Sequence, residues 1–117
     1  MLFRSLWLIG GTGEGPPLAR ELLARGWQLR VHVVSAAATR AYSPASERLS
    51  LAVGPLGEAH AIATALEQAA AAGRRPTWVI DASHPFAQRI SAALATACAG
   101  RRQPLLRLIR QIGRAHV

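Results

Sequence analysis

The chain has 117 residues, half of them apolar, which is enough for the core of one domain. Its apolar runs are all shorter than the roughly 18 to 20 residues of a membrane span, and its start lacks the pattern of a secretory signal. The formal charge of +8 comes from arginines spread along the chain, which does not suggest a nucleic-acid surface. The sequence therefore predicts a cytoplasmic protein with neither a membrane nor a nucleic acid as partner.

Short apolar runs alternate with helical stripes along the chain. Runs without polar residues are typical of strands that are buried on both faces of a parallel sheet. The run 6–9 has this pattern, and the other predicted strands are 29–34, 51–53, 77–80 and the start of a fifth at 104–108.

Three segments between the strands carry apolar residues at helical spacing and end at glycine or basic residues. The predicted helices are 16–25, 58–72 and 85–99, whereas residues 36–50 read as a loop with at most one helical turn. The residues expected to face inward are Leu18, Leu22, Leu23, Ile62, Leu66, Ile90 and Leu94. This alternation predicts a Rossmann-like doubly wound parallel α/β sheet of about five strands, with helices on both faces and further elements missing.

The lone cysteine, Cys98, excludes an internal disulfide and suits a reducing compartment. It follows Leu94 by four residues in the last predicted helix, so we interpret it as a buried structural thiol rather than a nucleophile.

A glycine-rich turn, residues 10–15, follows the first predicted strand and precedes a helix. Glycines at this place let a backbone approach a pyrophosphate, and the helix N-terminus favours negative charge. Pro16 takes the position of the third glycine of the usual dinucleotide motif, so the turn could also be only a tight connection. We predict a cofactor site at this turn, at Gly10, Gly11, Thr12, Gly13 and Glu14, where Glu14 bonds ribose hydroxyls or caps the helix.

The end of the second predicted strand lacks the acidic residue that holds the ribose of NAD in common dehydrogenases. Ser35 stands there instead, and Arg40 follows in the loop. This pair favours a 2′-phosphate and hence NADPH as cofactor. The alternative for Arg40 is a solvated loop cation.

Several polar residues follow the fourth predicted strand, where an open α/β sheet binds its ligands. Asp81, Ser83 and His84 stand directly before Pro85 and Phe86. Proline holds His84 in an extended backbone outside the helix, so His84 is expected to face the crevice. We predict catalytic roles for His84 and Asp81; the alternative is that Asp81 and Ser83 only cap the next helix. No metal site is predicted.

The two other histidines of the predicted domain have ordinary structural explanations. His32 lies within the second strand, and His60 lies near the start of the second helix. We expect neither to take part in a site.

Three segments occur in a specific order and spacing. They are Leu-Ile-Gly-Gly-Thr-Gly-Glu-Gly near the start, Val-Ile-Asp-Ala-Ser-His-Pro-Phe-Ala-Gln-Arg-Ile-Ser in the centre, and Pro-Leu-Leu-Arg-Leu near the end. Together they closely resemble the precorrin-6A reductase family of cobalamin biosynthesis. The resemblance extends over nearly the whole chain to Leu108, and the central segment is its most specific part.

The resemblance implies reduction of one macrocycle double bond of precorrin-6A, or of cobalt-precorrin-6A, by hydride from NADPH. It places the nucleotide on residues 10–14, Ser35 and Arg40. It places the tetrapyrrole substrate near Ser83, His84 and Phe86. The alternative function is a non-catalytic NADP-binding sensor, which has no need of the central segment.

The last seven residues have neither a strand pattern nor a helix pattern. Residues 111–117 read as the translation of a sequencing adapter, which removes His116 from consideration as a ligand. Ile109 stands where the family has an acidic residue. We therefore expect residues 1–110 to be the NADPH-binding N-terminal half of a truncated reductase, inactive and poorly soluble by itself.

Overall fold

The protein is described by a computed structural model that covers residues 4–11, 13–42, 46–84 and 87–108. Within these ranges five strands form one parallel sheet in the order β3-β2-β1-β4-β5. The strands are β1 (Ser5–Ile9), β2 (Gln28–Val33), β3 (Leu49–Val53), β4 (Trp78–Asp81) and β5 (Leu105–Arg107). All five predicted strands are confirmed, and their ends shift by no more than two residues.

Three α-helices connect the strands, and they are α1 (Gly15–Ala24), α2 (Ala59–Ala71) and α3 (Gln88–Gly100). The segment predicted as a loop with one turn contains a 3-10 helix, Ala37–Tyr42, and the first residues of β3. The start predicted for the third helix falls at residues 85 and 86, which lie outside the described ranges. Among the described helices, none has the length and apolar character that crossing a membrane requires.

The helices cover both faces of the sheet, as predicted for a doubly wound fold. Alternate residues of β1 point to opposite faces: Leu6 and Leu8 belong to the core that α1 covers, whereas Trp7 and Ile9 belong to the core that α2 and α3 cover. The predicted inward positions pack in these two cores, with Ile62, Leu66 and Leu94 buried and Leu18, Leu22, Leu23 and Ile90 partly buried.

Cys98 lies in the core beneath α3 with 1% of its surface exposed. Burial raises the pKa of its thiol, so the sulfur stays protonated at neutral pH. The interpretation of Cys98 as a structural thiol is confirmed.

Arg75, which follows α2, interacts with carbonyl groups at the end of α3, at the amino edge of the sheet. Arg75 donates from Nη2 to the carbonyl oxygens of Arg101 and Arg102, at 3.0 and 2.9 Å, and from Nε to Gln103. A cation at the end of α3 also complements the helix dipole. Part of the positive charge therefore stabilises the fold.

The strand order reverses between β1 and β4. From β1 the chain continues to β2 and β3 on one side, and it crosses over through α2 to β4 and β5 on the other. The two connections that leave β1 and β4 therefore diverge to opposite faces and leave a crevice at the carboxyl edge. The glycine-rich turn and the polar corner after β4 both stand at this crevice.

Candidate functional site

The glycine-rich turn is held against β2 and against a buried tyrosine. The Gly10 amide donates to the carbonyl oxygen of His32 at 2.9 Å. A Cβ at Gly10 would stand 2.8 Å from the Tyr42 hydroxyl oxygen, and one at Gly15 would clash with the same atom, whereas a Cβ at Gly13 would meet nothing within 4 Å. Two of the glycines thus make room for Tyr42, and Gly13 is the open position of the turn.

The contact between Gly15 and Tyr42 predicts a specific coupling in stability. We expect Gly15→Ala to lower the free energy of unfolding by ~1–3 kcal/mol through overpacking. In a Tyr42→Phe background the loss should fall below ~1 kcal/mol, because the nearest remaining atom, Cζ, stands at 3.5 Å, an ordinary contact. Urea unfolding of the four combinations measures the coupling, with Gly13→Ala as the control. Equal losses in both backgrounds would contradict this assignment of space.

The first turn of α1 presents few backbone donors to an anion. Pro16 and Pro17 carry no N–H, so a phosphate at this end would bond the backbone of the glycine-rich turn itself. Glu14 is the N-cap residue, and its side chain makes no capping hydrogen bond. The capping alternative for Glu14 is therefore wrong, and its role toward a ribose stays a prediction.

Asp81 is the centre of a buried hydrogen-bond network at the end of β4. It is 2% exposed, and its Oδ1 accepts from the Ser83 amide at 3.0 Å and from the Ser83 hydroxyl at 2.5 Å. Its Oδ2 accepts from the Ser91 hydroxyl at 2.6 Å, one turn into α3. Because both oxygens are engaged inside the protein, Asp81 holds β4, the corner and α3 in a fixed arrangement.

The helix-capping alternative for Asp81 and Ser83 is wrong. α3 begins at Gln88, and its N-cap is Ala87, where the described part of the chain shows no side-chain capping hydrogen bond. The side chain of Asp81 instead accepts a hydrogen bond from the Ser91 hydroxyl, one turn into α3. The catalytic role predicted for Asp81 stays a prediction, and its geometry is that of a positioning residue.

The glycine-rich turn and the corner after β4 touch each other. A Cβ at Gly11 would stand 3.1 Å from the Ser83 Cα and 3.1 Å from the His84 amide nitrogen, so the two backbones approach closely. The register pairs Ile9, at the end of β1, with Asp81, at the end of β4. Both segments therefore lie at the same edge of the sheet.

A cleft of about 460 Å³ opens beside this contact, on the face that α2 and α3 cover. This volume lies within the range typical of small-molecule sites. Both predicted segments contribute to its wall, through Gly10, Gly11, Ser83 and His84, together with apolar residues that include Ile9, Val34, Leu56 and Ile90. Glu58 and Arg89, which also line the cleft, form an ion pair at 3.3 Å.

His32 belongs to the wall of this cleft, which the sequence interpretation missed. Its side chain is 7% exposed, its ring lies 5.4 Å from the Trp7 ring, and its Nε2 has no hydrogen-bond partner among the described residues. Burial, with a smaller contribution from Arg30, lowers the pKa of His32 to about 4. The imidazole is therefore neutral at physiological pH.

The two residues predicted to select a 2′-phosphate lie beside the cleft rather than in its wall. Ser35 follows Val34, which lines the cleft, and its side chain accepts from the Ala38 amide at 3.3 Å. Arg40 is exposed in the last turn of the 3-10 helix. Both stand at the carboxyl end of β2, and their roles toward a nucleotide stay predictions.

Some predicted positions are not brought into the site. Thr12 and Phe86 lie outside the described residues. His60 is exposed on α2, in agreement with its ordinary interpretation. Within the described ranges no three His, Cys, Asp or Glu side chains come together as metal ligands.

The sequence predictions omitted two residues of the site, His32 and Ser91, for different reasons. His32 carried a usable signal, because a histidine inside an apolar run next to the central strand of a doubly covered sheet must be buried. Ser91 carried none, because its partner, Asp81, is fixed only by the packing of α3 on β4.

The open parallel sheet, its helices on both faces and the cleft at its switch point define a Rossmann-like α/β domain. A solved structure described as CobK precorrin-6A reductase has the same fold, with a TM-score of 0.76 and 27% identity over 97% of this chain and 42% of that one. A putative epimerase from Bacteroides thetaiotaomicron (TM-score 0.68, 16% identity, 91% of this chain and 47% of that one) supports the fold alone. The Bordetella bronchiseptica enzyme WbmG in complex with NAD (TM-score 0.62, 21% identity, 91% of this chain and 37% of that one) also supports the fold alone.

The sequence profile of the precorrin-6x reductase family, CbiJ/CobK, matches residues 5–116. Precorrin-6A reductases from two strains of Mycobacterium tuberculosis, CDC 1551 / Oshkosh and ATCC 25618 / H37Rv, are each 35% identical over 103 residues. That alignment covers 88% of this chain and 38% of each relative, so the chain spans under two fifths of their length. The chain belongs to the precorrin-6x reductase family, and the resemblance of its three segments is confirmed.

Proposed function

We propose that this chain is the nucleotide-binding half of an NADPH-dependent reductase that acts on a precorrin-6A or cobalt-precorrin-6A macrocycle in cobalamin biosynthesis. One observation carries the proposal: the glycine-rich turn and the corner with Ser83 and His84 touch, and both line one cleft at the switch point of the sheet. Membership of the reductase family supplies the class of reaction. The division into residues 1–110 and an adapter-derived tail at 111–117 is part of the same proposal.

The residues present fit a dinucleotide. The open position at Gly13 leaves space for a phosphate above the turn, and the N-terminus of α1 adds the positive end of its dipole. Ser35 and Arg40 stand on the β2 side of this turn, where the ribose of the adenosine half is held in folds of this kind. The missing acidic residue and the exposed guanidinium favour a 2′-phosphate there.

The reaction adds a hydride and a proton across one macrocycle double bond, and bound NADPH supplies the hydride. The chain's own groups orient the reactants and keep water from the apolar cleft. We propose that Ser83, His84 and Phe86 contact the tetrapyrrole, with His84 as the candidate proton donor. Asp81 acts through Ser83 and Ser91 as a positioning residue, because neither of its carboxylate oxygens faces the cleft unengaged.

Nucleotide preference tests the proposed cofactor. We expect the chain, purified at low micromolar concentration, to bind NADPH at least tenfold more tightly than NADH, because a 2′-phosphate gains a charge-assisted pair with Arg40. Arg40→Ala should remove most of this preference and leave NADH affinity unchanged. Arg74→Ala, exposed between α2 and β4 at the opposite edge of the sheet, is the matched control. Equal affinities for the two nucleotides would overturn the choice of NADPH.

A macrocycle titration separates the reductase from the NADP-binding sensor. The intact reductase should bind both NADPH and a polycarboxylate tetrapyrrole, whereas a sensor should bind the nucleotide alone.

His84→Ala in the intact enzyme should lower kcat if His84 donates the proton, and unchanged turnover would exclude that role.

A further inference from the structure

The Nε2 atom of His32 is a buried polar atom without a hydrogen-bond partner among the residues that the structure describes. Buried polar groups are nearly always paired, and an unpaired one lowers stability. Ordinary core packing therefore does not account for a histidine at this position, where an apolar side chain of similar size would be more favourable.

The imidazole ring packs against Trp7, which also contacts Arg30. The His32 and Trp7 rings lie 5.4 Å apart, and the Arg30 guanidinium lies 5.2 Å from the Trp7 ring on its strand. The backbone of His32 accepts from Gly10, the first residue of the glycine-rich turn. His32 thus lies beside the turn and is one of the residues that line the cleft, with its Nε2 atom buried.

We propose that His32 is a binding residue for the adenosine half of the nucleotide, and that its Nε2 atom forms a hydrogen bond with that ligand. The bond is direct or passes through one bound water. This inference rests on the nucleotide-binding function proposed above, and it adds a residue that recognises one half of the ligand.

The position of His32 selects the adenosine half over the nicotinamide half. His32 is in β2, on the side of the glycine-rich turn away from β4. A dinucleotide that lies with its phosphates on the turn directs its adenosine toward the end of β2, where Ser35 stands three residues further on. Near His32 the cleft wall is apolar, with Val34 and Leu56, which suits a purine.

A change of His32 to leucine separates ligand recognition from packing. In His32→Leu we expect the affinity for NADPH and for adenosine 2′,5′-bisphosphate to fall by about tenfold, the size of one neutral hydrogen bond. Affinity for reduced nicotinamide mononucleotide should not change. The midpoint of thermal unfolding without ligand should stay the same or rise, because the unpaired nitrogen is gone. His32→Gln, which keeps a donor and an acceptor, should recover part of the affinity.

His60→Leu is the matched control, since His60 is exposed on α2 and does not line the cleft. If the unaltered chain binds neither NADPH nor the bisphosphate, the proposed function fails and this inference fails with it. If the unaltered chain binds both and His32→Leu binds them equally well, this inference alone is overturned. A lower unfolding midpoint with unchanged affinity would identify His32 as a packing residue and would also overturn it.

Discussion

Replacement of Asp81 by alanine is expected to lower the free energy of unfolding by ~2–4 kcal/mol. Hydrogen bonds to a buried carboxylate are strong, and its removal leaves the donor groups without an acceptor. The carboxylate accepts from the Ser83 amide, the Ser83 hydroxyl and the Ser91 hydroxyl. Ser91 is 8% exposed, so water cannot easily replace the lost acceptor. Urea unfolding at pH 7 measures the loss.

Two further variants distinguish the network from the charge. Asp81→Asn keeps an acceptor for the Ser83 amide, and its NH₂ group can donate to Ser91, so we expect less than half of the alanine loss. Ser91→Ala removes one hydrogen bond and should lower stability by ~1–2 kcal/mol. If Asp81→Ala and Ser91→Ala gave equal losses, the contacts with Ser83 would contribute nothing measurable.

The same network sets the shape of the proposed site. Ser83 and His84 approach Gly11 only because Asp81 fixes the corner after β4. We therefore expect Asp81→Ala to weaken NADPH binding more than Ser91→Ala does. A corner that binds NADPH normally without the carboxylate would show that the turn alone determines the geometry.

The strands and helices could be predicted because local pattern and global fold agree in this chain. The run Leu6 to Ile9 is apolar without interruption, and the structure buries its side chains on two faces. The inward face of α2 followed from Ile62 and Leu66 at helical spacing. The shared edge of the two site segments followed from topology, since the carboxyl ends of parallel strands meet at one edge.

Features that depend on packing between distant residues could not be predicted. Nothing near Gly10 or Gly15 in the sequence indicates that Tyr42 fills the space beside them. The sequence explains the glycines by a phosphate or by a tight connection, whereas the structure gives Gly10 and Gly15 a packing reason as well. Likewise, the sequence predicts Asp81 as a catalytic residue, with a helix cap as the alternative, and neither indicates its bond to Ser91, which depends on where α3 docks.

Acid is expected to destabilise the protein through His32, because its pKa is about 4 in the folded chain against 6.5 for an ordinary histidine. Above pH 6.5 the imidazole is neutral in both states, so the full stability is present. As the pH falls from 6.5 to 4, the unfolded chain binds the proton before the folded chain does, and stability declines. With ~1.4 kcal/mol for each pKa unit, the total loss from this group is roughly 3 kcal/mol.

His32→Leu should remove the pH dependence that this imidazole causes. The free energy of unfolding of the variant, minus that of the unaltered chain, should therefore rise by roughly 3 kcal/mol as the pH falls from 7 to 4. Urea unfolding of both proteins at intervals over this range measures the difference. The carboxylates titrate in the same interval, but they are common to both chains and cancel when the free energies are subtracted. A difference that stays constant with pH would mean that the imidazole binds a proton equally well in the folded and the unfolded chain. The conclusion that burial lowers the pKa of His32 would then be wrong.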